Sequence, residues 1–100
     1  MEEREIIHEL KRISRIYHKR NVYRDCMMLQ LLENERFSRE GDIDLFDRIT
    51  ENYRMTDIIE FSRIGRTFKN MDPDKRIKTM IRINSCMNID NFHFIVKNFA

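Results

Sequence analysis

The histidines and cysteines are the first residues to consider for catalysis or metal binding, and they are His8, His18, His93, Cys26 and Cys86. A nucleophile needs a base beside it, and a metal site needs several ligands that converge. His8 and His18 are ten residues apart, so on one helix they lie on different faces. The two cysteines share no close spacing, and His93 stands between two phenylalanines. This pattern favours neither a metal site nor a covalent enzyme.

Phosphate-binding loops are equally poorly supported, because they need several glycines close together. The chain has two glycines, Gly41 and Gly65, and they are far apart in the sequence. We therefore expect a protein that is not an enzyme, that uses no cofactor and that holds no metal ion.

The composition indicates which elements must position the remaining candidates. Apolar residues make up 41% of the 100 residues and charged residues 36%, which is enough apolar material for one core. Two glycines and one proline are too few for the frequent turns of an all-β fold. The sequence therefore predicts a single all-α domain over residues 1–100, with short connections between helices.

Apolar residues recur at spacings of three and four, which is the period of a helix. The first three predicted helices cover residues 3–18, 22–36 and 43–55, with Asp42 as the cap of the third. A fourth begins at Thr56. Asp72-Pro73 starts a fifth that runs to Met87 with Ile81 on its inner side, and residues 92–99 predict a last short helix. We expect a compact antiparallel bundle of six helices, or seven if residues 37–41 form one.

The second predicted helix has more apolar side chains than one inward stripe needs. Met27, Met28 and Leu31 lie off the centre of that stripe. The stripe itself consists of Val22, Cys26, Leu29 and Leu32. Such a helix is either central in the core or exposes an apolar patch. Its methionines fit both readings, since Met serves as adaptable core filler and as a soft binding surface.

The charges are nearly balanced, with 19 basic and 17 acidic residues and a net charge of +2. The basic residues are densest between positions 11 and 24. They are either contacts to an anionic partner such as nucleic acid, or the solvated face and C-terminal end of a helix, where cations suit the helix dipole. The candidate anion contacts are Arg12, Arg15, Lys19, Arg20 and Arg24.

The location of the protein is predicted from its first residues and its cysteines. The N-terminus is charged, and no apolar run approaches the roughly 18 residues that cross a bilayer. Cys26 and Cys86 lie in apolar segments, as expected for buried free thiols in a reducing compartment. We expect a cytoplasmic protein without a membrane partner.

Several stretches of the chain resemble a known family, the death effector domains of the death-fold superfamily. Residues 5–12 (EIIHELKR) are similar to the family's first helix, and residues 25–33 (DCMMLQLLE) to its second. Residues 44–49 (DLFDRI) and 58–66 (IIEFSRIGR) are similar to its fourth and fifth helices. The resemblance covers about residues 4–70.

The resemblance implies homotypic binding to other death-fold domains, within a six-helix antiparallel bundle that acts in cell death or innate immunity. The family usually follows its fifth helix with Arg-x-Asp-Leu, whereas this chain has Arg66-Thr-Phe-Lys. The family's charge triad is therefore incomplete, and only Arg66 and Asp25 carry over. The family's apolar patch falls on Met28, Leu29, Leu31 and Leu32.

The sequence supports three kinds of function. The first is a non-catalytic protein-interaction module, an adaptor or inhibitor that binds another helical protein or a second copy of itself. The second is a small helical nucleic-acid-binding domain that uses the basic cluster. The third is a structural subunit of a larger assembly. The expected partner contacts of the first are Asp25, Met28, Leu29, Leu31, Leu32 and Arg66.

Overall fold

The structure, a computed structural model, describes residues 1–87 and Lys97. This part of the chain contains five helices and no strand, which confirms the predicted all-α class. The helices are α1 (Glu3–Tyr17), α2 (Val22–Asn34), α3 (Asp42–Thr50), α4 (Met55–Asn70) and α5 (Pro73–Met87). The predicted last helix, residues 92–99, lies outside the described residues apart from Lys97.

Helix α1 follows the predicted boundaries to within one residue. The backbone N–H of Glu2 donates to Oε1 of Glu5 at 3.4 Å, and acidic residues in the first turn suit the helix dipole. The helix ends where His18 takes a left-handed conformation, with φ at 53°, and the N–H of Lys19 bonds the carbonyl of Ser14.

Helix α2 is the central element, since it packs against α1, α3 and α4. It ends at Asn34, two residues before the predicted end, because Arg36 and Phe37 both have positive φ angles. The Phe37 ring then meets the ring of Phe46 edge to face, with centroids 5.2 Å apart. The alternative of a helix over residues 37–41 is therefore wrong, and a turn stands there.

Helix α3 is shorter than predicted and ends at Thr50 rather than near Met55. Side chains bond carbonyls of its last turn, because the hydroxyl of Thr50 donates to the carbonyl of Asp47 at 3.1 Å and the amide of Asn52 donates to that of Arg48 at 2.9 Å. Tyr53, which continues the apolar period, lies buried in the connection to α4. The apolar period of α3 therefore continues beyond the end of the helix, because Tyr53 of the connection is also buried.

Helix α4 contains Gly65, whose position is explained by close packing on α2. A Cβ at Gly65 would overlap Cγ and Cδ of Gln30. The amide of Gln30 lies over this glycine and donates to the carbonyl of Phe61 at 3.3 Å. Because Gly65 has no side chain, α2 and α4 can approach closely, and the carbonyl of Phe61 stays accessible to the amide of Gln30.

Helix α5 begins at the predicted Asp72-Pro73 step. Oδ1 of Asp72 accepts the N–H of Lys75 at 3.0 Å, as an N-cap should. The guanidinium of Arg76 reaches back to the carbonyls of Phe68 and Met71 at 2.9 and 3.0 Å, which satisfies the end of α4. The inner face differs from the prediction, because Ile81 is 50% exposed and Ile83 is buried instead.

One apolar cluster joins α1, α2, α4 and α5 within residues 1–87. Its largest fully buried side chains include Tyr23, Phe61, Phe68, Leu10 and Met80. None of the five helices is both long enough and apolar enough to span a membrane.

Candidate interaction surface on the second helix

Four residues of α2 and its C-cap form the outward face of this central helix. They are Arg24, Met28, Leu31 and Glu35, and each is partly buried. Their spacing of four, three and four residues places them in one row along the helix. We call this row the α2 strip. Its centre is apolar, and its two ends carry opposite charges.

The predicted partner contacts on α2 divide between this strip and the core. Leu29 and Leu32 are only 1% and 3% exposed, so both side chains belong to the core of the monomer. Met28 and Leu31 stay accessible. The apolar surface that α2 offers to a partner is therefore two residues wide, with Met28 and Leu31 one turn apart.

Asp25, beside the strip, is buried and has internal partners. The hydroxyl of Tyr53 donates to its Oδ2, and Arg24 Nη2 lies 3.6 Å from its Oδ1. Arg66 lies exposed on the outer side of α4, with no carboxylate of the described residues within 4.0 Å. The structure does not bring Asp25 and Arg66 together as the resemblance implies.

A second tyrosine–aspartate pair lies next to the first, and sequence patterns gave no sign of either. Tyr17 donates its hydroxyl to Oδ2 of Asp57 and accepts the N–H of Arg54 at 3.0 Å. The rings of Tyr17 and Tyr53 meet edge to face with centroids 5.2 Å apart. The two pairs connect α1, α2 and the start of α4, so they fix the position of α2 behind its strip.

Burial sets the protonation of the groups around α2. It raises the pKa of Tyr53, and the hydrogen bond to Asp25 raises it further. Burial also raises the pKa of Tyr23, whose hydroxyl has no hydrogen-bond partner among the described residues. Both side chains therefore stay neutral at physiological pH.

The two cysteines are in different environments. Cys26 is buried, as predicted, and burial raises the pKa of its thiol, which lies 3.6 Å from the carbonyl of Phe61. Cys86 was also expected to be buried, but it is exposed near the end of α5. The apolar stretch around Cys86 predicted burial, but Cys86 lies on a side of α5 that does not face the core.

The predicted basic cluster divides into residues with and without acidic partners. Arg12 bonds Glu9 at 2.8 Å and lies 3.9 Å from Asp57, and the bond to Glu9 raises the pKa of Arg12. Arg24 is close to Asp25 (3.6 Å). Nζ of Lys19 lies 5.2 Å from the centroid of the Tyr53 ring. These three candidate anion contacts are therefore engaged inside the molecule.

The remaining candidates, Arg15 and Arg20, converge with Lys11 on one cavity of about 310 Å³ between α1 and the end of α5. Ser14, Cys86 and Met87 complete its lining. No carboxylate of residues 1–87 lies within 4.0 Å of these three cations. Within that same range, no three histidine, cysteine or acidic side chains come together as a metal site.

Comparison with family models, with curated proteins and with solved structures finds no match to this chain.

Proposed function

We propose that this chain is a non-catalytic protein-interaction module that binds another helical protein through the α2 strip. The observation that carries the proposal is the accessibility of Met28 and Leu31 on a helix whose other sides are enclosed by α1, α3 and α4. A partner that covers them gains about 25 cal/mol for each Å² of apolar surface buried. The helix behind them is already ordered, so binding costs little further conformational entropy.

The opposite charges at the two ends of the α2 strip select the orientation in which a partner helix binds. Arg24 at one end and Glu35 at the other favour a partner helix with the opposite arrangement of charges, and charge complementarity supplies register and specificity more than affinity. An amphipathic helix with an apolar centre and charged ends fits this description.

We further propose that the helices belong to an antiparallel bundle of the death-fold type and that the partner is a domain of the same kind. In support, the four resembling stretches fall within α1, α2, α3 and α4. The turn over residues 35–41 is a departure from the family, since it stands where the family's third helix would be. Homotypic assembly of this kind suits an adaptor or inhibitor in signalling.

The proposal is tested by substituting the strip and measuring binding to a purified partner. Partners are captured from the host with wild type as bait, and each is purified and titrated against Met28→Glu and Leu31→Glu. The matched control is Met55→Glu on α4, because Met55 is 73% exposed and far from the strip in sequence. We expect both strip variants to weaken binding at least about tenfold, with helical circular dichroism retained, while the control binds normally. Equal binding by all three variants would overturn the proposal.

Anion binding is a second candidate function, favoured by the convergence of Lys11, Arg15 and Arg20 on one cavity. Phosphate groups of a nucleic acid would meet three cations there, and binding would weaken steeply with salt. Titration of labelled single-stranded and duplex oligonucleotides tests this.

The control for this titration comes from the divided basic cluster. Arg15→Gln and Arg20→Gln should weaken binding and flatten the salt dependence, whereas Arg12→Gln should do neither, since Arg12 is occupied by Glu9 and Asp57. Absence of binding at low salt would remove this function.

A further inference from the structure

The α2 strip is symmetric about its own midpoint. Its spacing of four, three and four residues is centred between Leu29 and Gln30. A twofold axis through that point, perpendicular to the helix, relates the position of Arg24 to that of Glu35 and the position of Met28 to that of Leu31. The chemical pattern is matched as well, since the related ends carry opposite charges and the related centre residues are both apolar.

The rise of the helix gives the distances between the residues of the α2 strip. At a rise of 1.5 Å per residue, the charged ends lie about 16 Å apart along the axis and the apolar pair about 4.5 Å apart. Glu35 is the C-cap and keeps helical backbone angles (φ −81°, ψ −2°), so the row stays regular to its end. Alternating steps of four and three are the spacing of a coiled-coil seam.

We infer that the partner of the α2 strip is a second copy of this chain, bound with the two α2 helices antiparallel. This inference rests on the proposed function and specifies its partner. In the pair, Arg24 of each copy faces Glu35 of the other, and Met28 faces Leu31. The contact is isologous and closes as a dimer.

Charge decides the orientation of the pair. A parallel arrangement places like charges together at both ends of the strip, whereas the antiparallel one places opposite charges together. The partners that these residues have within one chain are weak competitors. Arg24 lies 3.6 Å from Asp25, and Glu35 lies 3.4 Å from Arg39 at the surface. The Glu35–Arg39 pair is exposed, and such pairs contribute little to stability. The 3.6 Å between Arg24 and Asp25 is longer than a close charge-assisted hydrogen bond, so Arg24 can also meet a carboxylate of a second copy.

The other exposed apolar residues do not offer the same complementarity. They lie on four different helices: Ile16 on α1, Ile43 on α3, Met55 and Ile59 on α4, and Ile81 on α5. Met55 and Ile59 share one face of α4, but the flanking Arg54 and Arg63 are both basic. The ends of that face therefore lack the opposite charges that would make it complementary to a second copy, and Arg63 is already paired with Glu60 at 2.8 Å. The strip therefore forms a weak, small and directional dimer contact.

The test is sedimentation velocity of the whole chain from micromolar to near-millimolar concentration, with charge swaps at the two ends of the strip. All samples carry Cys86→Ser, because the exposed thiol of Cys86 could otherwise form a disulfide between copies. R24E places Glu against Glu35, and E35R places Arg against Arg24. Each swap alone should weaken dimerisation at least about tenfold.

Comparison of the double variant with the single ones distinguishes the antiparallel pair from a parallel one. The double variant should dimerise with itself, because each end again meets its opposite charge in the antiparallel pair, whereas a parallel pair keeps like charges together at both ends whichever swap is made. An equimolar mixture of R24E and E35R should also form a heterodimer, since their ends are complementary in either orientation. R48E and E51R, exposed charge swaps on α3 and its C-cap, make the same charge changes and should leave dimerisation unchanged. If R24E loses its helical circular dichroism, Arg24→Gln replaces it and should still weaken the dimer.

Three results would overturn the inference. A wild-type chain that stays monomeric throughout, a dimer indifferent to both swaps, or single variants that fail to restore each other would each do so. None of these affects the proposed function, which fails only if a different purified partner binds strip variants as well as wild type.

Discussion

At the scale of single residues, the two tyrosines of the core have opposite hydrogen-bonding situations. The hydroxyl of Tyr53 donates to the buried carboxylate of Asp25, whereas the hydroxyl of Tyr23 is buried with no partner among residues 1–87. A hydrogen bond to a charged group stabilises a fold by about 1.5–3 kcal/mol, and an unsatisfied buried group costs a similar amount. The same chemical change therefore has opposite effects at the two positions.

We predict that Tyr53→Phe lowers the free energy of unfolding by about 2 kcal/mol, because it leaves Asp25 short of a donor. Tyr23→Phe should instead raise it by up to about 1 kcal/mol, because it removes a hydroxyl that folding strips of water. Urea unfolding of the two variants beside wild type measures both effects. Losses of equal size in the two variants would contradict the hydrogen-bond assignment.

At the scale of elements, the contact between α2 and α4 depends on the match of Gln30 with Gly65. A methyl group at position 65 would occupy the space of the Gln30 side chain, which would then lose its bond to the Phe61 carbonyl. The higher helix propensity of alanine, worth about 1 kcal/mol, does not offset this displacement.

We expect Gly65→Ala to lower the free energy of unfolding by about 1–3 kcal/mol, an overpacking cost. In a Gln30→Ala background the same substitution should cost much less, since the space has been vacated. A double-mutant cycle in urea gives the coupling between the two positions. Additive effects would show that the two residues do not compete for the same space.

The elements show which structural features local sequence determines. The start of α5 was predictable because Asp72 and Pro73 act within their own turn. The end of α3 was not, because Tyr53 continues the apolar period although it packs from a connection. The capping of α4 by Arg76 joins two helices, and no spacing rule within one helix reveals it.

The candidate surface was predictable only in part, for a related reason. The sequence identified α2 as too apolar for a single inward stripe. Which of Met28, Leu29, Leu31 and Leu32 face outward depends on where α1, α3 and α4 pack. Because α2 is apolar around much of its circumference, its own periodicity could not determine this.

At the scale of the whole molecule, stability is predicted to fall in alkali. Burial raises the pKa values of Cys26, Tyr23 and Tyr53, so all three remain protonated in the fold. In the unfolded chain a cysteine titrates at about pH 8.5 and a tyrosine at about pH 10. A group whose pKa is higher in the folded chain than in the unfolded chain stabilises the fold fully at any pH below its unfolded pKa. That stabilisation is lost as the pH rises from the unfolded pKa to the folded pKa.

We therefore expect the free energy of unfolding to decrease from about pH 8.5 upward, and each fully engaged group to add about 1.4 kcal/mol per pH unit to the slope. Urea midpoints across this range, with tyrosinate absorbance as a second readout, measure it. The free energy of unfolding of Tyr23→Phe should decrease less steeply with pH, since this substitution removes one of the three titrating groups. A flat profile would mean that these side chains are accessible to solvent in the fold.

The most direct test of the central claim is the oxidation rate of individual methionines in the wild-type chain, free and bound to its partner. Oxidation to the sulfoxide follows exposure, and mass spectrometry locates it. The three relevant sites are Met27 at 1% exposure, the partly buried Met28, and Met55 at 73% exposure. We predict that Met28 oxidises in the free monomer and is protected in the complex, while Met27 resists oxidation and Met55 oxidises in both states. Protection of Met55 with unchanged oxidation of Met28 would contradict the assignment of the α2 strip as the binding surface.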